Sequence, residues 1–127
     1  MARLDRVALG KQGEELACRE LRRRGYAILA RRFRTRFGEI DIIARDGPTL
    51  VFVEVKTRSS SAYGTAAEAV TARKQAKIGL MASEFLLRRA PTMTPCRFDV
   101  VAVGVGEGRK PVVEVICGAF DATAFCR

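Results

Sequence analysis

The sequence predicts a single α/β domain in which a small sheet is flanked by helices. Residues 5–25, and again from about 71 to 89, place apolar positions at helical spacing. The segments between and after them are short β-branched and aromatic runs punctuated by glycine and proline. At 127 residues the chain has the length of one domain, able to bury roughly two-thirds of its unfolded surface. Its 48% hydrophobic and 29% charged residues exclude an intrinsically disordered chain.

The elements follow in order. In the first helix Glu14 shares a face with Gly10, Ala17, Cys18 and Leu21, so it points toward the core. Glu15 shares a face with Lys11, Arg19 and Arg22 and reads as solvated and ion-paired. Gly25 supplies the stop after the Arg22–Arg24 run. Strands are expected at Tyr26–Arg34, Gly38–Ala44 and Leu50–Thr57, the last two joined as an antiparallel hairpin by Arg45-Asp46-Gly47-Pro48. Residues 59–65, SSSAYGT, form a small-residue loop, either a flap over a substrate or a plain connector. The second helix starts at Ala66 or at Thr71, where a threonine can cap it, and ends before Pro91 and Pro95. Its packed stripe begins with Gln75 and continues through Ile78, Ala82 and Phe85. Two more strands, Arg97–Val103 and Pro111–Ile116, complete about five. Asp99, inside the first of these, is expected to be structural and paired with a nearby arginine. No internal repeat or second domain is visible.

The chemistry concentrates between Gly38 and Arg58. Asp41 precedes the Glu54-Val55-Lys56 unit by 13 positions, and all three charges lie in segments rich in Ile, Val and Phe. Ionisable groups avoid such strands unless paired or bound to a metal. A hairpin centred on the Gly47–Pro48 bond sets Asp41 opposite Glu54 and Glu39 opposite Lys56, which would gather all four on one face. A one-residue slip would scatter them. Opposed carboxylates in an apolar sheet repel unless one is protonated or a cation lies between them. Mg²⁺ or Mn²⁺ suits such oxygen donors. The plainer alternative is a buried Glu-Lys pair that holds the sheet together, although buried pairs are weak stabilisers.

Composition narrows the chemistry further. The chain has no histidine, which excludes Ser-His-Asp, Cys-His and histidine acid–base catalysis. Its four cysteines are widely spaced with no Cys-x-x-Cys, so reduced thiols are expected, with Cys18 and Cys117 as small core residues. No apolar run reaches the roughly 18 residues of a membrane span. MARLDRVALG breaks the apolar core that a signal peptide needs, so a cytoplasmic location is expected. The net charge of +9 is uneven. Residues 1–36 hold eleven Arg and Lys against four acids, whereas residues 37–58 hold three against four. Basic charge beside a carboxylate cluster suits a phosphate polymer held next to a divalent cation. On that basis Arg22, Arg24, Arg34 and Arg36 are expected to contact nucleic acid. Arg22, Arg23 and Arg24 could instead solubilise a helix end. A basic RNA-binding protein fits the charge but leaves the buried acids unexplained.

These residues resemble a known family. The Asp-(x12)-Glu-x-Lys arrangement between a leading and a following helix looks like the PD-(D/E)xK nuclease superfamily. More closely, the chain resembles the YraN-like bacterial proteins, which are similar to archaeal Holliday-junction resolvases. The resemblance rests on Gly10-x-x-Gly13-Glu14 with Ala17, Gly38-Glu39-Ile40-Asp41, and Phe52-Val53-Glu54-Val55-Lys56 with Arg58. It continues through Gly64, Lys74-Gln75-x-Lys77-Ile78 and Arg97-Phe98-Asp99-Val100-Val101. It implies a restriction-endonuclease-like fold with a mixed central sheet. It also implies Asp41 and Glu54 as metal ligands, the Val55 carbonyl as a third, Lys56 as the catalytic lysine and Glu14 as the helix-borne acid. Arg58, Lys74 and Gln75 join the expected nucleic-acid contacts. Ile40 stands where the superfamily name has proline. The expected activity is Mg²⁺- or Mn²⁺-dependent endonucleolytic hydrolysis of structured or branched DNA, with a homodimer implied by the relatives. The rival is a nucleic-acid-binding protein that keeps the fold without cleaving.

Overall fold

A computed structural model describes residues 3–59, 70–89, 94–106 and 108–123. Helix α1 spans Arg3–Arg23, followed by strands β1 (Ala27–Thr35), β2 (Gly38–Asp46) and β3 (Thr49–Arg58). Helix α2 (Ala72–Arg89) leads to β4 (Cys96–Gly104) and β5 (Val112–Phe120). The five strands lie in sequence order, antiparallel except for β3 and β4, which run parallel through the α2 crossover. The sheet is therefore mixed, as the resemblance implies. Among the described residues no helix is long and apolar enough to cross a membrane.

Local chemistry sets the boundaries. Gly25 takes a left-handed φ of 93° and closes α1 with paired bonds, Tyr26 N–H to Leu21 O at 3.0 Å and Gly25 N–H to Arg22 O at 2.9 Å. Gly47 (φ 58°) opens a two-residue loop with Pro48, the Gly-first pattern of a type II′ hairpin. Thr71 caps α2, its Oγ1 accepting the Lys74 N–H at 3.2 Å. Of the two expected starts, Thr71 is therefore the one that carries a cap. Residues 60–69, including most of the 59–65 loop and Gly64, lie outside the described residues.

Each sheet face buries its own core. The α2 face gathers Ile40, Ile43, Phe52, Phe98 and Val100 with Ile78, Met81, Ala82 and Phe85. The α1 face gathers Ile42, Val51, Val53, Val101 and Val103 with Ala17, Cys18 and Leu21. Phe33, Phe85, Phe52, Phe98 and Phe120 form a continuous aromatic row under α2, with neighbouring centroids 5.4–6.0 Å apart. Along β2 neighbouring residues alternate between the cores except near Asp41, where Ile40 and Ile43 share the α2 face and Ile42 the α1 face. Across from Asp41, β1 carries Arg32 with a left-handed φ of 51°.

One expectation about the thiols fails. Cys18 is buried but Cys117 is exposed, and both are free, as is Cys96. The β4–β5 register shifts between Phe98 and Val100, and the bulge this makes in β5 turns Cys117 outward.

Candidate active site

The hairpin has the expected register, but it stops short. Pairs Asp46↔Thr49 through Ile42↔Val53 follow the turn, and no pair follows Ile42. At that point Asp41 Oδ2 accepts the Val55 N–H at 2.8 Å, taking the place of a main-chain acceptor. The strands part, and β2 continues paired only to β1. Asp41 therefore meets β3 by its side chain rather than as Glu54's ladder partner. Glu39 leaves the expected four-residue cluster. Its ladder partner is Arg34, whose Nη2 lies 3.1 Å from its Oε1.

Glu54 is nearly buried, at 6% exposure, on the α2 side of β3. Two lysines serve it. Lys74 Nζ, from the first turn of α2, lies 3.3 Å from Oε1, and Lys56 Nζ lies 3.8 Å from the same oxygen. Among the described residues Asp41 has no comparable cation. Burial first, then the neighbouring Glu54 charge, pushes its carboxyl up to about 7. The Val55 N–H and Lys74 pull it down only partly, and Glu14 adds to the rise.

Glu14 reaches this region because α1 lies tight on β3. A Cβ at Gly13 would collide with Thr57 Oγ1, so only glycine permits the approach. Glu14 is largely sheltered and accepts the Arg32 Nε–H at 2.8 Å, whereas Glu15 is exposed and pairs with Arg31 at 3.2 Å. The helical face assignment of the two glutamates thus matches their environments. Arg32 was not singled out from the sequence. The flanking pairs Arg31↔Ile42 and Phe33↔Ile40 set it opposite Asp41, so the β1–β2 register was the signal that could have found it.

The expected nucleic-acid contacts divide. Arg34 and Arg36 are highly exposed near the open end of β2, with Arg36 ion-paired to Glu84 of α2 at 3.4 Å. Arg58 ends β3, two residues beyond Lys56. Lys74 is tied to Glu54, and Gln75 donates its amide N–H to Val70 O at 3.0 Å, bracing the start of α2. Arg22 and Arg24 lie about 12 Å or more from Glu14 in the direction of α1, at and just beyond its C-terminal end. Arg24 is moreover held by Glu20 at 2.9 Å.

Mg²⁺ typically takes one or two carboxylates and completes its shell with water and substrate phosphate. Asp41 and Glu54 match that demand. A divalent cation would offset the burial, and the repulsion from Glu54, that raise the Asp41 carboxyl. The Val55 carbonyl leaves β3 on the same edge as the N–H that Asp41 accepts, toward the gap between the strands. Among the described residues no three acidic or thiol groups form an all-protein metal cage. The donor set fits a cation shared with substrate.

A mixed five-stranded sheet with helices on both faces, an acid on β2 and Glu-x-Lys on β3 defines a restriction-endonuclease-like protein. The chain belongs to the uncharacterised protein family UPF0102, whose model matches residues 13–103. This is the family to which the residue-level resemblance pointed. A UPF0102 protein of Rhodococcus opacus is 49% identical over 90% of this chain and 97% of its own length. One from Symbiobacterium thermophilum shows the same identity and coverage. A third, from Pseudomonas aeruginosa, is 46% identical over 89% of this chain and 92% of its own.

Proposed function

We propose that this protein is a Mg²⁺- or Mn²⁺-dependent endonuclease that hydrolyses phosphodiester bonds in structured or branched DNA in the cytoplasm. The observation that carries the reading is the Asp41–Val55 bond of 2.8 Å, which opens the hairpin beside Glu54 and leaves a half-buried acid short of a cation among the described residues. A bound divalent cation would supply Lewis acidity and a nucleophilic water. Asp41, Glu54 and the Val55 carbonyl would hold it at the mouth between β2 and β3. Lys56 would offset the charge that grows on the phosphoryl oxygens. Glu14, kept in place by Arg32, would complete the acidic side of the site. The preference for branched DNA, and the dimer that two-strand cutting requires, come from the resemblance to junction resolvases.

One observation favours the non-cleaving rival. Lys74 stands closer to Glu54 than Lys56 does, so the acid already has a cation from α2. A cleavage panel of duplex, single-stranded, flap and four-way-junction DNA with Mn²⁺ separates the readings, with Lys56→Ala as control. Metal-dependent cutting that Lys56→Ala abolishes supports the enzyme. Metal binding without cutting of any substrate supports the rival.

A further inference from the structure

We infer that duplex DNA lies along the outer face of α2, and that this helix, not the arginine run at the end of α1, is the main polyanion-binding surface. The inference deepens the nuclease reading and rests on it for the choice of partner. Helix α2 carries five basic residues against one acid. Arg73, Lys77 and Arg88 fall within about 60° of its circumference, on the side away from the buried Ile78, Ala82 and Phe85. All three are exposed. The stripe runs about 22 Å, long enough to follow several phosphates of a duplex.

The charge is placed against the helix's own interest. The first turn of α2 has no acid, while Arg73 and Lys74 crowd the positive end of the helix dipole. An external anion at that end would turn this repulsion into attraction. The same turn touches the candidate site, because Lys74 reaches Glu54. At the other end the surface widens. Arg36 joins Arg88 on Glu84, each at 3.4 Å, and lies over the Phe37 ring at 4.9 Å. Arg89 rests over Phe33 and Phe85, both at 5.8 Å. Guanidinium groups held over aromatic rings lose less freedom when they meet phosphate. Glu84, the one acid on α2, is thus already shared by two arginines. Among the described residues Arg73 and Lys77 form no ion pair.

The α1 alternative differs in its placement. Arg23 and Arg24 both bond Glu20, at 2.7–3.0 Å, which offsets one of their two charges. Arg22 is at the end of the helix remote from Glu14, and α1 covers the sheet face opposite to Glu54 and Lys74. A duplex laid along its C-terminal half would miss the acids.

The test compares two charge-matched variants of the full chain, Arg73→Ala/Lys77→Ala and Arg19→Ala/Arg22→Ala. Binding to a fluorescent DNA duplex is followed by anisotropy across a salt series in EDTA, so that no cleavage occurs. The α2 variant should weaken binding about tenfold or more and lower the salt slope by about 2, with the α1 variant near wild type. Equal losses in both variants, a larger loss in the α1 variant, or no binding by wild type would overturn the inference. So would α2-dependent binding to anionic lipid vesicles without binding to DNA. A parallel Mn²⁺ cleavage assay keeps the two readings apart. Location-independent binding with cleavage removes this interface and leaves the nuclease. Binding through α2 without cleavage does the reverse.

Discussion

Two carboxylates, one buried and one half-buried, sit in the same apolar sheet, and they are treated in opposite ways. Asp99 on β4 is fully buried and completely served. Arg97 grips it with Nε at 2.9 Å and Nη2 at 3.0 Å, and Gly118 N–H adds a third bond at 2.9 Å. Arg97 is itself spread over Asp46 at 3.0 Å and the Tyr26 hydroxyl at 2.6 Å. Each carboxylate there bonds the same guanidinium. At the mouth between β2 and β3, Asp41 receives one backbone N–H and faces Glu54 and Glu14. A protein that needed only a stable sheet would satisfy Asp41 as it satisfies Asp99. The difference separates an acid that holds the fold from an acid kept available for a cation.

The largest expected effect tests the Asp99 side of the contrast. Arg97→Ala leaves a buried carboxylate without its cation and should cost about 3–5 kcal/mol of stability. Asp41→Asn should cost no stability and should raise it near pH 7, since it removes a charge the fold does not compensate. Urea denaturation of both variants measures the gap. Similar losses would place Asp41 among the structural acids and dissolve the distinction.

Next comes the chemistry at the mouth. Asp41→Asn and Glu54→Gln should abolish Mn²⁺ binding by calorimetry while sparing DNA affinity, because they remove negative charge facing the phosphates. Lys56→Ala should keep Mn²⁺ and reduce cleavage by about 10²-fold or more, since its part is played in the transition state. Loss of Mn²⁺ in the Lys56 variant would instead make the lysine a support for Glu54.

Acid titration should show the same asymmetry. Asp41 holds its proton to about pH 7 in the folded protein, against roughly 4 when unfolded. Between those values the folded state binds the extra proton, so stability falls as pH rises through that window. Below about pH 4 both states are protonated and the penalty is absent. Asp41→Asn should flatten this part of a stability–pH profile recorded in EDTA. Mn²⁺ affinity should rise as pH rises through 7, because cation and proton compete for the same carboxylate. A wild-type profile as flat as that of the Asn variant would show that the acid is already compensated.

Much of this contrast was legible in the sequence. Strand composition and the Gly47-Pro48 turn gave the hairpin register, and helical spacing separated Glu14 from Glu15. Asp99 was readable as paired because an arginine stood two residues away on the same face. What escaped was non-local. The ladder stops at Ile42 because a side chain, Asp41, takes the Val55 N–H, and parity counting assumes that main-chain pairing continues. Glu39 was misplaced for that reason. Lys74 comes to Glu54 from another element, and its placement depends on how α2 crosses the sheet. The outward turn of Cys117 follows from a bulge whose Gly118 N–H serves Asp99, a partnership between strands that composition does not reveal.

The smallest expected effect concerns Arg32, which stands between the two treatments. It is ion-paired to Glu14 like a structural arginine, yet it adopts a left-handed φ of 51° opposite Asp41. Such a conformation costs a bulky residue about 1–3 kcal/mol, whereas asparagine adopts it far more readily. The half-exposed pair with Glu14 returns only about 0–1 kcal/mol. Arg32→Asn should therefore leave stability within about 1 kcal/mol of wild type, with relieved strain offsetting the lost pair. Its second consequence is sharper. Removing a cation that faces Glu14 and Asp41 should raise Mn²⁺ affinity severalfold in calorimetry, at unchanged pH and salt. If Mn²⁺ affinity stays the same while stability falls as it does for Arg97→Ala, then Arg32 and Glu14 form a structural pair. The candidate site would then shrink to Asp41, Glu54 and their lysines.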